Sequence, residues 1–205
     1  MSEAALTDAT ALPGWFGKMP ALGDFASRRL PDAFVQRWDR WLQRGLARTR
    51  SELGEAWLDA YLVAPILRFW LGPGVLGASS WAGLLMPSVD RVGRHFPLTI
   101  VQPLDPLAAA LAARDWFRAL DGAARKVLDV EFTLEDLERE LAAIIPPDEL
   151  PADVDERLAA DLRNGFDGDG FTVWWRDEAS ERAAYRCFSA LPPAPAFVAM
   201  ISEAP

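Results

Sequence analysis

A three-layer α/β sandwich, with a mixed, largely antiparallel sheet flanked by helices, is the fold class this sequence predicts. Three observations carry it. Short apolar runs at 14–19, 66–71, 81–86, 96–101, 171–176 and 185–189 have the length and composition of strands. Stripes of helical period lie between several of these runs rather than at one end of the chain. Two pairs of runs, 81–86 with 96–101 and 171–176 with 185–189, are each joined by one polar loop, as hairpin-like neighbours are. A hydrophobic content of 51% with 25% charged residues over 205 residues suits a single core.

Residues 1–13 show no hydrophobic periodicity and are expected to form a flexible leader, leaving 14–205 as one domain. Residues 14–19 (GWFGKM) read as a strand closed by Pro20 and a turn at Gly23 and Asp24, with 25–30 as an extended continuation. Pro31 and Asp32 suit the first turn of a helix: proline loses no hydrogen bond there, and the carboxylate meets the positive end of the helix dipole. Phe34, Trp38, Trp41, Leu42 and Leu46 then recur at helical spacing, and the other face carries Arg37, Arg40, Arg44, Arg48 and Arg50. Gly54 is the expected stop. Trp57, Leu58, Tyr61 and Leu62 mark a short helix ending before Pro65. After the strand at 66–71 and a Gly72-Pro73-Gly74 turn come the strands at 81–86 and 96–101. Residues 106–130 read as one helix with Leu107, Leu111, Phe117, Leu120, Val127 and Leu128 apolar. Thr133 is placed to N-cap the next helix, with Asp136 three residues on in a variant of the capping box. A helix over 153–163, the strands at 171–176 and 185–189, and a helical turn or two over 195–201 complete the chain.

The net charge of -9 weighs against non-specific nucleic-acid binding, which depends on neutralising phosphates. The charge is uneven. Residues 1–100 hold 11 Lys+Arg against 9 Asp+Glu, and residues 101–205 hold 10 against 21, so the halves carry +2 and -11. Solvated acidic helices and a dipolar surface that steers a partner both fit this asymmetry. No apolar run approaches the roughly 20 residues of a membrane span. The first residues lack the layout of a signal peptide. One cysteine, Cys187, fits a reducing compartment. The cytoplasm is the expected location.

Signatures of catalysis are missing. His95 is the only histidine, and Ser79, Ser80 and Ser88 lie near it without a G-x-S-x-G elbow. Cys187 sits in an apolar strand pattern and reads as a small core residue. The Asp167-Gly-Asp-Gly sequence starts like a calcium loop, but Phe171 and Thr172 occupy positions where such a loop needs a ligand and a glycine. Neither phosphate-loop nor dinucleotide-binding glycine spacing occurs, and no Cys/His cluster suits zinc. No catalytic residue, cofactor or metal is therefore expected. An alternative keeps a small hydrolase using His95 with Ser88 or Asp90.

Two polar constellations remain. Lys18, Asp24, Arg28 and Arg29 stand around Gly23, and Ser88, Asp90, Arg91 and Arg94 stand around Gly93. Either the aspartates accept backbone N–H bonds and pair with the cations to hold the loops shut, or the groups form a patch for a protein partner. The candidates for partner contact are Lys18, Asp24, Arg28, Ser88, Asp90, Arg91 and Arg94, with Arg91 and Arg94 foremost. Trp174 or Trp175 is a further candidate, as an exposed anchor.

The segments GWFGKMPALGDFASRRLP (14–31), WLDAYLVAPILRF (57–69) and WAGLLMPSVDRVGRHFPL (81–98) together resemble the TagF (ImpM) family of accessory proteins of bacterial type VI secretion systems. The resemblance covers roughly residues 14–190, its later part mainly through the FTVWW strand. It implies an α/β sandwich and a non-enzymatic, cytoplasmic role: post-translational repression of apparatus assembly, with a forkhead-associated scaffold component as partner. Some relatives carry a fused PP2C-type phosphatase domain. This chain is expected to lack that activity, being too short for the domain and without its metal-binding aspartate motifs. A structural subunit of the apparatus is the remaining alternative.

Overall fold

Among the described residues seven strands form one sheet: β1 (Gly14–Gly17), β2 (Ala26–Arg28), β3 (Leu67–Leu71), β4 (Trp81–Met86), β5 (Leu98–Pro103), β6 (Thr172–Trp175) and β7 (Arg186–Phe188), in the order β2-β1-β5-β4-β3-β6-β7. The computed structural model describes residues 12–145, 147, 156–166, 170–176 and 184–202. The leader up to residue 11, the turn at 167–169, the loop at 177–181 and the start of the 153–163 helix lie outside them. Every pairing between neighbouring strands is antiparallel.

Among the described residues seven α-helices flank the sheet: α1 (Asp32–Leu53), α2 (Trp57–Leu62), α3 (Leu107–Ala112), α4 (Arg114–Lys126), α5 (Leu134–Ala143), α6 (Glu156–Arg163) and α7 (Ala194–Ser202). α1, α2 and α7 cover one face, and α3 to α6 cover the other. Side chains alternate between the two cores. β3 sends Leu67, Phe69 and Leu71 to the α1 side and Trp70 to the α4 side; β4 sends Trp81 and Leu85 one way and Ala82, Leu84 and Met86 the other. A sheet buried on both faces needs apolar residues at consecutive positions, which is why its strands read as unbroken apolar runs.

Trp38 of α1 sits at the centre of the first core. Its indole N–H donates to Thr99 Oγ1 at 2.8 Å, and its ring meets those of Trp41, Phe69 and Trp174. α7 lies against α1 at Gly45, where an added Cβ would come within 2.6 Å of the Phe197 ring. α1 ends as expected at Gly54, which takes a φ of 54°. The capping box of α5 forms in full: Thr133 Oγ1 accepts from the Asp136 N–H, and Asp136 Oδ2 accepts from the Thr133 N–H. Hydrogen bonds from Thr133, and then from Arg139, hold the Asp136 carboxyl at about 2. Among the described residues no helix is long and apolar enough to cross a membrane.

Four details differ from the expectations. The single helix over 106–130 is two, broken at Ala113, whose ψ of 45° leaves the helical region. The alanine run before it carries no glycine or proline to mark the break. β5 begins at Leu98 rather than 96, because the Phe96 N–H is bonded back to Ser88 O in the loop and Pro97 has no N–H to give. α7 is a full helix of 9 residues. Trp174 and Trp175 are not exposed anchors. β6 lies between β3 and β7, so Trp174 points into the α1 core and Trp175 meets Phe117 of α4.

Candidate functional site, a platform of two joined loops

Residues 18–25 leave β1, and residues 87–97 lead into β5. Since β1 and β5 pair antiparallel, with Phe16 opposite Thr99, both loops emerge at the same end of the sheet. Gly17 allows the approach: its φ is 142°, and a Cβ there would lie 2.2 Å from Pro97 O.

Asp90 ties the loops together. One oxygen, Oδ2, accepts from Lys18 Nζ at 2.9 Å and Arg94 Nε at 2.7 Å. The other accepts from the backbone N–H groups of Val92 at 3.1 Å and Arg94 at 2.9 Å. Gly93, at a φ of 83°, turns the chain between them and donates its N–H to Asp90 O. Burial works to raise the Asp90 carboxyl, but the Lys18 and Arg94 hydrogen bonds and the Val92 N–H outweigh it and hold the group well below the usual carboxylate range. Further cross-links run between the loops. The Arg91 N–H donates to Leu22 O at 2.9 Å, Arg94 Nη2 donates to Gly23 O at 2.6 Å, and Ser88 Oγ donates to Lys18 O at 2.7 Å.

α2 supplies the support beneath. The Tyr61 hydroxyl accepts from the Ser88 N–H at 3.0 Å and donates to Ser88 O at 2.9 Å. Burial pushes the phenol above its ordinary value, against the Ser88 bond and the nearby Arg50 charge, so it stays protonated and able to donate. His95 packs edge-on against Trp57 and Tyr61, with centroids 5.8 and 5.5 Å away. Burial, then the Arg50 charge, lowers its pKa and favours the neutral ring. Among the described residues no hydrogen bond joins that ring to Ser88 or Asp90, and the Ser88 hydroxyl is engaged with Lys18 O. The arrangement a His95 hydrolase requires is not assembled here. Nor do three His, Cys, Asp or Glu side chains among the described residues converge to hold a metal ion.

The seven candidates thus divide. Lys18, Ser88 and Asp90 are buried, at 4%, 3% and 2% exposure, and act as braces between the loops. Asp24, Arg91 and Arg94 stand at the surface of the platform, Arg94 also serving as a brace. Arg28 is separate. It lies in β2 and faces Glu138 of α5 at 3.8 Å, beside a clasp in which Glu138 accepts from Arg29 and from the Trp15 indole. Burial would raise the Glu138 carboxyl, but those bonds lower it.

Sequence reasoning missed three parts of the platform. Phe25 is half exposed, lies under the Lys18 ammonium at 4.7 Å and packs edge-on against Phe96. Val92, at 68% exposure, projects from the tip of the second loop. Tyr61 read only as part of an apolar stripe. An apolar residue between an arginine and a glycine in a polar turn, as Val92 is between Arg91 and Gly93, is the one available signal.

Comparison with known proteins places the chain in a family and a fold. The sequence model of a family described as the TagF N-terminal domain, type VI secretion system-associated, matches residues 14–144. The crystal structure of PA0076 from Pseudomonas aeruginosa PAO1 superposes with a TM-score of 0.76 at 36% identity, over 93% of this chain and 94% of that one. No curated protein sequence matches the chain.

Proposed function

Because the chain belongs to the TagF family of type VI secretion system-associated proteins, we propose that it is a non-enzymatic cytoplasmic regulator. It represses assembly of the secretion apparatus by binding a forkhead-associated scaffold component, with the region from residue 14 onward acting as one binding domain. The observation that carries this reading is the division of labour within the platform. Its buried polar groups are spent on one another, while Arg91, Val92 and Phe25 are left at the surface. Arginine and apolar or aromatic residues on a rigid support are what partner recognition uses. Asp24 and Arg94 flank them and set the polar rim.

Deleting the gene in a strain with an active apparatus is expected to raise secretion of the tube protein, and overexpression to suppress it. Unchanged secretion in both strains would refute the repressor role. Stoichiometric co-purification with the assembled machine would point to a structural subunit instead.

A further inference from the structure

We propose that the solvent face of α1 is a second docking surface, built to take an acidic helix of a partner protein. Arg37, Arg40, Arg44 and Arg48 follow one another at spacings of three, four and four residues, so they form one ridge about 16 Å long. All four are exposed. Arg48 pairs with Glu52, whereas Arg37, Arg40 and Arg44 have no ion-pair partner among the described residues. The carboxylate closest to them on the helix, Asp39, accepts from Gln43 instead.

This is unusual for a chain with 30 Asp+Glu to 21 Lys+Arg. On α4 and α5 the exposed cations Arg118, Arg125, Lys126 and Arg139 each meet a carboxylate, and Arg114, at the first position of α4, is the exception among the described residues of these two helices. Like charges at these spacings destabilise a helix, and α1 tolerates three such steps in succession. An external anion would relieve them.

The occupant follows from shape and charge. A guanidinium matches a carboxylate through two parallel hydrogen bonds, and a helix with Glu or Asp at matching spacing presents such groups along one ridge. A bilayer or a nucleic acid would present an extended anionic surface to a molecule of net charge -9. A second copy related by a two-fold axis would set this ridge against itself.

The test uses the full chain and a synthetic alanine-based helical peptide with Glu at i, i+3, i+7 and i+11, at low salt, with the Gln version as control. The Glu peptide is expected to bind and the Gln peptide not. Arg37→Ala, Arg40→Ala and Arg44→Ala together are expected to weaken binding about tenfold, without lowering Tm, since alanine favours the helix. Arg91→Ala, on the platform, should leave peptide binding unchanged, so this surface stands or falls independently of the platform. No peptide binding, equal affinity of the triple variant, or tighter binding to phosphatidylserine vesicles or duplex DNA would each overturn the proposal.

Discussion

Lys18→Ala is expected to destabilise the protein by about 3 kcal/mol, read as a lower urea midpoint. The substitution removes one partner of a buried ion pair with Asp90, whose side chain has no exposed surface. The low end of the usual range applies because Arg94 and two backbone N–H groups still hold the carboxylate. Asp90→Ala is expected to lose more, because the buried ammonium keeps only the Phe25 ring beneath it. A Lys18→Ala midpoint equal to that of the wild type would show that the pair does not hold the loops together.

The same network sets an acid limit. The Asp90 carboxyl lies below its ordinary value of 3.8 in the folded protein, so its stabilisation is complete above that pH. It is lost as pH falls toward the folded value. The stability of Asp90→Ala should therefore fall less steeply in acid than that of the wild type.

Trp38→Ala is expected to cost about 4 kcal/mol. The indole fills the space between α1, β3 and β6, and its removal leaves Phe34, Trp41, Phe69 and Trp174 facing a void. Trp38→Phe retains most of the volume but removes the N–H donated to Thr99, and should cost about 1 to 2 kcal/mol. Guanidinium denaturation of the two variants separates packing from hydrogen bonding. Equal losses would assign the stability of this core to the Thr99 bond.

Much of the fold was legible because the sheet is covered on both faces, so its strands stand out as apolar runs. α1 was legible from its stripe and its glycine stop, and α5 from Thr133 and Asp136. The break at Ala113 was not, since a buried alanine run has no period to lose. Trp174 and Trp175 were misjudged because the apolar run FTVWW does not reveal that β6 has a strand on either side.

At the platform, residue types indicate that two aspartate-arginine loops matter, and both a lock and a contact surface fit those residue types. The orientation of each side chain was not legible. Lys18 points inward only because Asp90, 72 positions on, receives it, and Arg29 meets Glu138 across 109 positions. Partners so distant in sequence leave no mark in a local pattern.

The outward residues Arg91 and Val92 make no side-chain hydrogen bond among the described residues, so substituting them leaves the braces intact. Calorimetric titration of the purified forkhead-associated scaffold with the wild type and with an Arg91→Glu, Val92→Glu variant is therefore the most direct test. With Tm unchanged, the wild type should bind and the variant should lose at least about tenfold in affinity. No binding by the wild type, or the same affinity in both, would contradict recognition through this platform.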